Sequence, residues 1–284
     1  IVKQKLNKNQ KQMQAMKALL IQIYQPTAHF RIPFTYQRRH TYPIPPYSTV
    51  IGLLCNLLGI YYHDENDDEA TIDDNYVKLK KCKISISGHF DQKLTEYIWF
   101  RNLNKESHKT YFGSETIREK NGEINHIGGQ VPMKIDVLEN LKTNIYIFNE
   151  DETFLKTIQE NIKNPINRLD VIHLGRAEDW LVFDNIEMVD IIEYDLDKDY
   201  KHFFWIPQNI YPNDGSYNET FYKSEGIFYN LPIFATIKGY NQTYDKNGER
   251  SFTFMKTKLN NGALVGLKYL YDETNDLPVF LADL

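Results

Sequence analysis

Five prolines fall between residues 26 and 46, at Pro26, Pro33, Pro43, Pro45 and Pro46, and they separate two runs of different hydrophobic period. Before them, Lys17 to Tyr24 alternates: Leu19, Ile21 and Ile23 point to one face, and Ala18, Leu20, Gln22 and Tyr24 to the other. That is the period of a strand. After them, Leu53, Leu54, Leu57 and Leu58 repeat at helical spacing up to Gly59, a natural helix stop, with Ser48 or Thr49 as the expected cap. Proline lacks the backbone donor and clashes in a helix interior, so the segment between is a long loop. Strand, loop and buried helix make the first half of a split β-α-β unit.

The rest of the chain supplies the second half. The acidic stretch 63–74 reads as a solvated linker, without the spacing of a calcium loop. Residues 78–103 read as two strands with a turn near Asp91-Gln92. Asn121-Gly122 then signals a projecting hairpin, about 104–134, that carries Lys105, Lys109, Arg118 and Lys120. Residues 135–148 return to the sheet. Asn149 and Glu152 suggest a capping box for a helix over 150–163, with Phe154, Leu155, Ile158 and Ile162 as its apolar stripe. RLDVIHLGRAEDWLVF reads as a strand, a Gly-Arg turn and another apolar run. The order strand-helix-strand-strand-helix-strand predicts an α+β, ferredoxin-like or RRM-like domain over 16–184. Residues 185–284 are β-rich, with hairpins expected at Asn247-Gly248 and Asn261-Gly262 and a closing strand LPVFLADL. The polar residues 1–15 read as a leader outside the fold.

Composition excludes several classes. Apolar content of 42% and charged content of 25% over 284 residues are ordinary globular values. The longest apolar run, Val50 to Tyr62, is too short to span a bilayer, and no signal pattern opens the chain. A soluble, cytoplasmic protein without membrane contact is expected. The two cysteines, Cys55 and Cys82, sit in apolar surroundings and read as small buried hydrophobes. No spacing suggests zinc, and neither a metal nor any other cofactor is expected. The net charge of −5 argues against nucleic acid, but its distribution does not. Residues 1–63 carry +8, 64–77 carry −7, 78–134 carry +5 and 135–284 carry −11. One polyanion-binding face in the first half fits this split, as does a chance imbalance of solvated faces.

The stretch RIPFTYQRRHTYPIPPYST, residues 31–49, interleaves Arg31, Arg38, Arg39 and His40 with Phe34, Tyr36, Tyr42 and Tyr47. Guanidinium forks pair with phosphate oxygens, and aromatic rings stack on unpaired bases. RNA or other single-strand binding and protein docking are both open for such a loop. In HLGRAEDW, Gly175 can expose backbone N–H groups beside Arg176, which suits a phosphate; a structural pair of Arg176 with Glu178 or Asp179 is the alternative. Ser48 at a helix start suits either an anion or a plain cap.

The run MKALLIQIYQPTAHFRIPFTYQRRHTYPIPPYSTVIGLLCNLLGI, residues 16–60, resembles the amino-terminal signature of the CasD-type fifth family of CRISPR-associated proteins, in the RAMP superfamily. HLGRAEDW resembles that family's second marker, and the flavour is similar to the type I-B branch. The resemblance implies an RRM-like palm with a β-hairpin thumb. It implies a subunit that caps one end of a Cascade complex and grips the five-prime handle of the crRNA. Its partners would be the Cascade backbone subunit and the large subunit, with target DNA engaged only through the complex. Carried over, the handle-gripping positions are Arg31, Tyr36, Arg38, Arg39, His40, Tyr42, Ser48, Gly175 and Arg176, with the thumb at about 104–134.

One branch of the family, similar to type I-C, cuts precursor crRNA without metal. That needs a base for the ribose 2′-hydroxyl and an acid for the leaving oxygen. Tyr36, Tyr42, His40, His108 and Lys109 are the available groups, but their pattern does not match the cutting branch, so no catalytic residue is expected. A carbohydrate-binding β module is the alternative from another class, given twenty tyrosines; it has no need of the Arg-Arg-His cluster.

Overall fold

The computed structural model describes residues 15–33, 35, 38–60, 73–101, 106, 109–110, 113, 119–120, 123–124, 130–194, 198–213, 215–237 and 250–284. The first half holds β1 (Met16–Ala28), β2 (Arg38–Arg39), α1 (Tyr47–Leu58), α2 (Asp74–Lys80), β3 (Lys83–His89), β4 (Gln92–Arg101), β5 (Glu119–Lys120), β6 (Glu123–Ile124), β7 (Gln130–Phe148) and α3 (Glu152–Lys163). The second holds β8 (Val182–Tyr194), β9 (Phe203–Pro207), β10 (Ile210–Tyr211), α4 (Gly215–Lys223), β11 (Ile227–Ile237), β12 (Arg250–Asn260), β13 (Tyr269–Asp272), β14 (Leu277–Val279) and β15 (Leu281–Asp283).

The palm is the run β1-α1-β3-β7-α3-β8, and its strands lie side by side in the order β3-β7-β1-β8. That is the ferredoxin-like arrangement of an α+β fold. The period-two reading of β1 holds. Leu19, Ile21 and Ile23 pack with the leucines of α1 and with Phe154, Leu155, Ile158 and Ile162 of α3. Ala18 and Leu20 pack on the opposite face with Tyr146, Phe204, Tyr217, Tyr269 and Phe280. The central strands are therefore covered on both sides, by helices on one and by the C-terminal segments on the other. The same sheet continues past β3 through β9, β12 and β11, and past β8 through β13 and β14.

Several local expectations are corrected. Helix α1 is capped by Pro46, whose carbonyl accepts from Thr49 N at 3.0 Å and Val50 N at 3.3 Å, so Ser48 and Thr49 lie inside the first turn. Gly59 ends the helix at φ 73°, as expected. Lys78-Leu79-Lys80 is the end of α2 and not a strand, because Asp73 caps that helix by accepting from Asn75 N. Helix α3 is capped by Asp151, which accepts from Thr153 N and Phe154 N, and not by Asn149, whose Oδ1 accepts from Asp151 N. Residues 168–174 do not form a strand: the Asn56 side chain accepts from Leu169 N and Asp170 N in place of a ladder. Asn261-Gly262 is not a hairpin turn, since β13 pairs with β8 and β14. LPVFLADL splits at Phe280 into β14 and β15, which pair with different strands. Residues 63–72 of the acidic linker, Asn247-Gly248 and most of the projecting hairpin lie outside the described residues, whereas Asp73 and Asp74 open α2; of the hairpin, β5 pairs with β6, Lys120 opposite Glu123.

Candidate nucleic-acid interface

The proline-rich loop starts and ends in the core. Tyr42 N donates to Phe30 O at 2.8 Å and Ile32 N to His40 O at 2.9 Å, so residues 30–32 and 40–42 close on one another. Phe30 and Tyr42 are buried, while Arg31, Arg38 and His40 are exposed. The C-terminal strands lock the loop's far end: Trp205 Nε1 donates to Pro45 O at 2.9 Å, and the Tyr42, Trp205 and Tyr229 rings pack edge to face.

Arg38 and Arg39 add a short parallel strand beside Lys134 and Ile135 of β7. On the other side of that stretch, β4 pairs with β7 from Gln92 opposite Glu139 to Arg101 opposite Gln130. The strands form a ribbon that runs off the palm. At its root Asn140 has φ 53°, a conformation asparagine tolerates; it accepts from Tyr24 Oη and donates to Asp91 Oδ2.

Asp136 organises one face of this ribbon. Its side chain is 1% exposed and accepts from Arg38 Nε at 2.7 Å and Thr95 Oγ1 at 3.2 Å, with His40 Nδ1 at 2.9 Å and Lys93 Nζ at 3.9 Å. Burial opposes its ionisation, but the hydrogen bonds from Arg38 and His40 outweigh this and hold the carboxyl below its ordinary value. The buried carboxylate anchors three cationic or protonatable side chains that are 45–50% exposed. Half-burial of Arg39 lowers its pKa, and Arg31 lies close enough to add repulsion in the same direction.

A second carboxylate, Asp179, holds the Gly-Arg turn. It is fully buried and accepts from Arg176 NH2 at 2.7 Å, Arg176 Nε at 3.0 Å, Arg176 N at 3.2 Å and His29 N at 3.0 Å. Arg176 also meets Glu96 at 3.4 Å, and its side chain is 16% exposed. Burial opposes its charge, yet the Asp179 contacts raise its pKa on balance. Gly175 has φ 107°, and a Cβ there would sit 2.9 Å from His29 O. His29 ties the Asp136 backbone to the second carboxylate: its ring Nδ1 lies 2.7 Å from the Asp136 main-chain carbonyl oxygen while its backbone N–H donates to Asp179 Oδ2.

The structure thus brings Arg31, Arg38, Arg39 and His40 together and sorts the other expected site residues differently. Tyr42 and Tyr47 are 3% and 0% exposed, so neither offers a ring face to a base. Their packing against core apolar side chains decides this, and burial pushes the Tyr42 hydroxyl up to about 12. Ser48 is half-buried at the second helical position. Gly175 and Arg176 form the structural pair with Asp179. Lys109 is exposed; Tyr36, His108 and Arg118 lie outside the described residues. The sequence reading missed Lys93, Thr95 and Asp136, and with them Tyr97, Trp99 and Lys134 on the same ribbon. The alternation Lys-x-Thr-x-Tyr-x-Trp over 93–99 was the available signal.

A ferredoxin-like palm with a long ribbon and a cationic loop against it defines the class: a RAMP-type protein. The chain belongs to the Cas5 family, matching the family described as "CRISPR-associated protein (Cas_Cas5)" over residues 18–251. No curated protein matches it. Among solved structures it is similar to a chain of a "CRISPR RNA-guided surveillance complex", at 12% identity and TM-score 0.48, with 93% of this chain and 90% of that one covered. It is also similar to a CRISPR protein from Archaeoglobus fulgidus, at 9% identity and TM-score 0.39, covering 94% and 100%. A chain of a type III-B Cmr-beta complex bound to cognate target RNA gives 10% identity and TM-score 0.37, covering 87% and 84%. Among the described residues no helix is long and apolar enough to cross a membrane.

Proposed function

We propose that this protein is a non-catalytic crRNA-binding subunit of a type I, I-B-like Cascade complex, acting in the cytoplasm. It grips the five-prime handle of the crRNA and caps the filament of backbone subunits, beside the large subunit. The observation that carries this reading is the buried Asp136 carboxylate, which orients Arg38 and His40 outward on a ribbon face shared with Lys93. Such a row of fixed cations beside a cationic loop suits a single-stranded phosphate backbone.

The test is handle-RNA affinity against salt for the wild type and for Arg31→Ala/Lys93→Ala. Each lost phosphate contact reduces the single-strand slope by about 0.7. Equal slopes would refute the assignment of these cations, and absence of salt-dependent binding would refute RNA holding altogether.

One observation favours a cutting activity instead. His40 Nδ1 lies 2.9 Å from Asp136 Oδ2, so the Nε2 edge of the ring is turned away from the carboxylate, which is the edge a general base would present to a 2′-hydroxyl. Incubation with repeat RNA in EDTA separates the two readings: a single product, lost in His40→Ala, establishes cutting; RNA that stays intact while it binds with a salt-dependent affinity supports holding.

A further inference from the structure

Tyr97 and Trp99 are 61% and 63% exposed on β4. Large rings left this open on a strand mark a surface that binds something. Their direction is fixed by their neighbours. Thr95 bonds Asp136 and Arg38 on one side of the ribbon, and Lys93 reaches the same carboxylate. Strand alternation puts residues 93, 95, 97 and 99 on that one face. Across the ladder Tyr97 stands opposite Lys134 and Trp99 opposite Pro132, both exposed. The rings therefore continue the line of cations outward along the ribbon.

Their mutual geometry restricts what they can accept. The centroids are 6.5 Å apart and the ring planes meet at 90°. Two flat groups laid on these two rings are not parallel to each other. Neighbouring base pairs of a duplex are parallel, so a duplex does not fit. Unpaired nucleotides with splayed bases do, because each base turns independently about its backbone.

We propose that Tyr97 and Trp99 form a stacking platform for two unpaired, mutually unstacked bases of single-stranded RNA, with Lys134 on the adjoining phosphate. This rests on the RNA-holding reading above and adds where the bases sit. Stacking on a ring tolerates any base, so the platform grips without reading sequence.

The experiment uses the full chain and a labelled single-stranded RNA of about ten nucleotides, within the span that such surfaces cover. Tyr97→Ala and Trp99→Ala are each expected to weaken binding roughly fivefold or more with an unchanged salt slope. Trp99→Phe retains most of the affinity. Lys134→Ala lowers the slope, and duplex RNA of the same sequence competes poorly. The rings are exposed, so thermal midpoints stay at the wild-type value. If the wild type binds with a normal salt slope and both alanine variants match it, the platform is wrong and RNA holding stands. If these variants bind RNA normally but fail to join the backbone subunit, the rings dock protein and the platform is overturned. If the wild type shows no salt-dependent binding, the holding function fails and the platform falls with it.

Discussion

Arg38 donates its Nε to Asp136 Oδ1 at 2.7 Å while its side chain stays 45% exposed, so one guanidinium serves the fold on one edge and faces solvent on the other. Removing it leaves a carboxylate that is 1% exposed without its closest partner. Arg38→Ala should cost about 2 kcal/mol, the worth of a hydrogen bond to a buried charge. Lys93→Ala, with its exposed and longer 3.9 Å contact, should stay within about 0.5 kcal/mol. Urea unfolding of both variants checks the order; equal losses would contradict it.

Arg176 is expected to matter for stability and not for RNA. Asp179 is fully buried and its oxygens are occupied by Arg176 and by His29 N–H. Arg176→Ala should therefore destabilise by about 3 kcal/mol, as when one partner of a buried pair is lost. Gly175→Ala should also destabilise, because its φ of 107° and the 2.9 Å approach to His29 O exclude a side chain. The salt slope of RNA binding should be unchanged in Arg176→Ala under conditions where it is folded. A reduced slope would return Arg176 to the interface.

The Tyr47 hydroxyl is buried without a hydrogen-bond partner among the described residues. Burial alone pushes its pKa up. Tyr47→Phe removes a polar atom that gains nothing from the fold, so it should leave stability equal or raise it by about 1 kcal/mol. RNA affinity should be that of the wild type. A clear loss in thermal midpoint would reveal a partner for that oxygen.

Acid should weaken the fold first through histidine. His202 ionises near 6.5 in the unfolded chain and only near about 4 in the fold, because of burial and then of His89, whose ring lies 4.8 Å away. Between those values the unfolded state binds more protons, so stability is fully present above the upper one and is lost as pH falls toward the lower. His29 and His89 are lowered too, chiefly by burial, and act with the same sign. Asp136, Asp151 and Asp276 are held below 3.8 and contribute their losses only under that pH. The urea midpoint measured at about pH 7 and about pH 4.5 should drop, and His202→Phe should reduce the drop. An undiminished drop would exclude His202 as a main source.

Much of the palm was legible because its signals are local. Leu19, Ile21 and Ile23 declare a strand, and Leu53 to Leu58 followed by Gly59 a helix, without reference to anything distant. The caps were misread where two polar residues compete within one turn: Asp151 lies between Asn149 and Glu152, and only the backbone path decides which oxygen meets the free N–H groups. The site was half legible. Arg38 and His40 stand out by composition, but Asp136 lies 96 residues beyond His40, and no periodicity links them. Tyr42 and Tyr47 have the right composition for a binding loop. Trp205 and Tyr229 claim Tyr42 for the core from more than 150 residues away, and only the tertiary fold discloses that.

The ribbon has a consequence for how relatives of this chain can differ. His89 of β3 already stands opposite Lys142 of β7, and the β4 ladder resumes at Gln92 opposite Glu139. The palm hairpin is complete before the ribbon begins. Paired residues can be added or deleted two on each side beyond that point, keeping every remaining side chain on its own face. Reach toward a longer or shorter ligand is then adjustable like the blade of a folding rule, with the hinge end untouched.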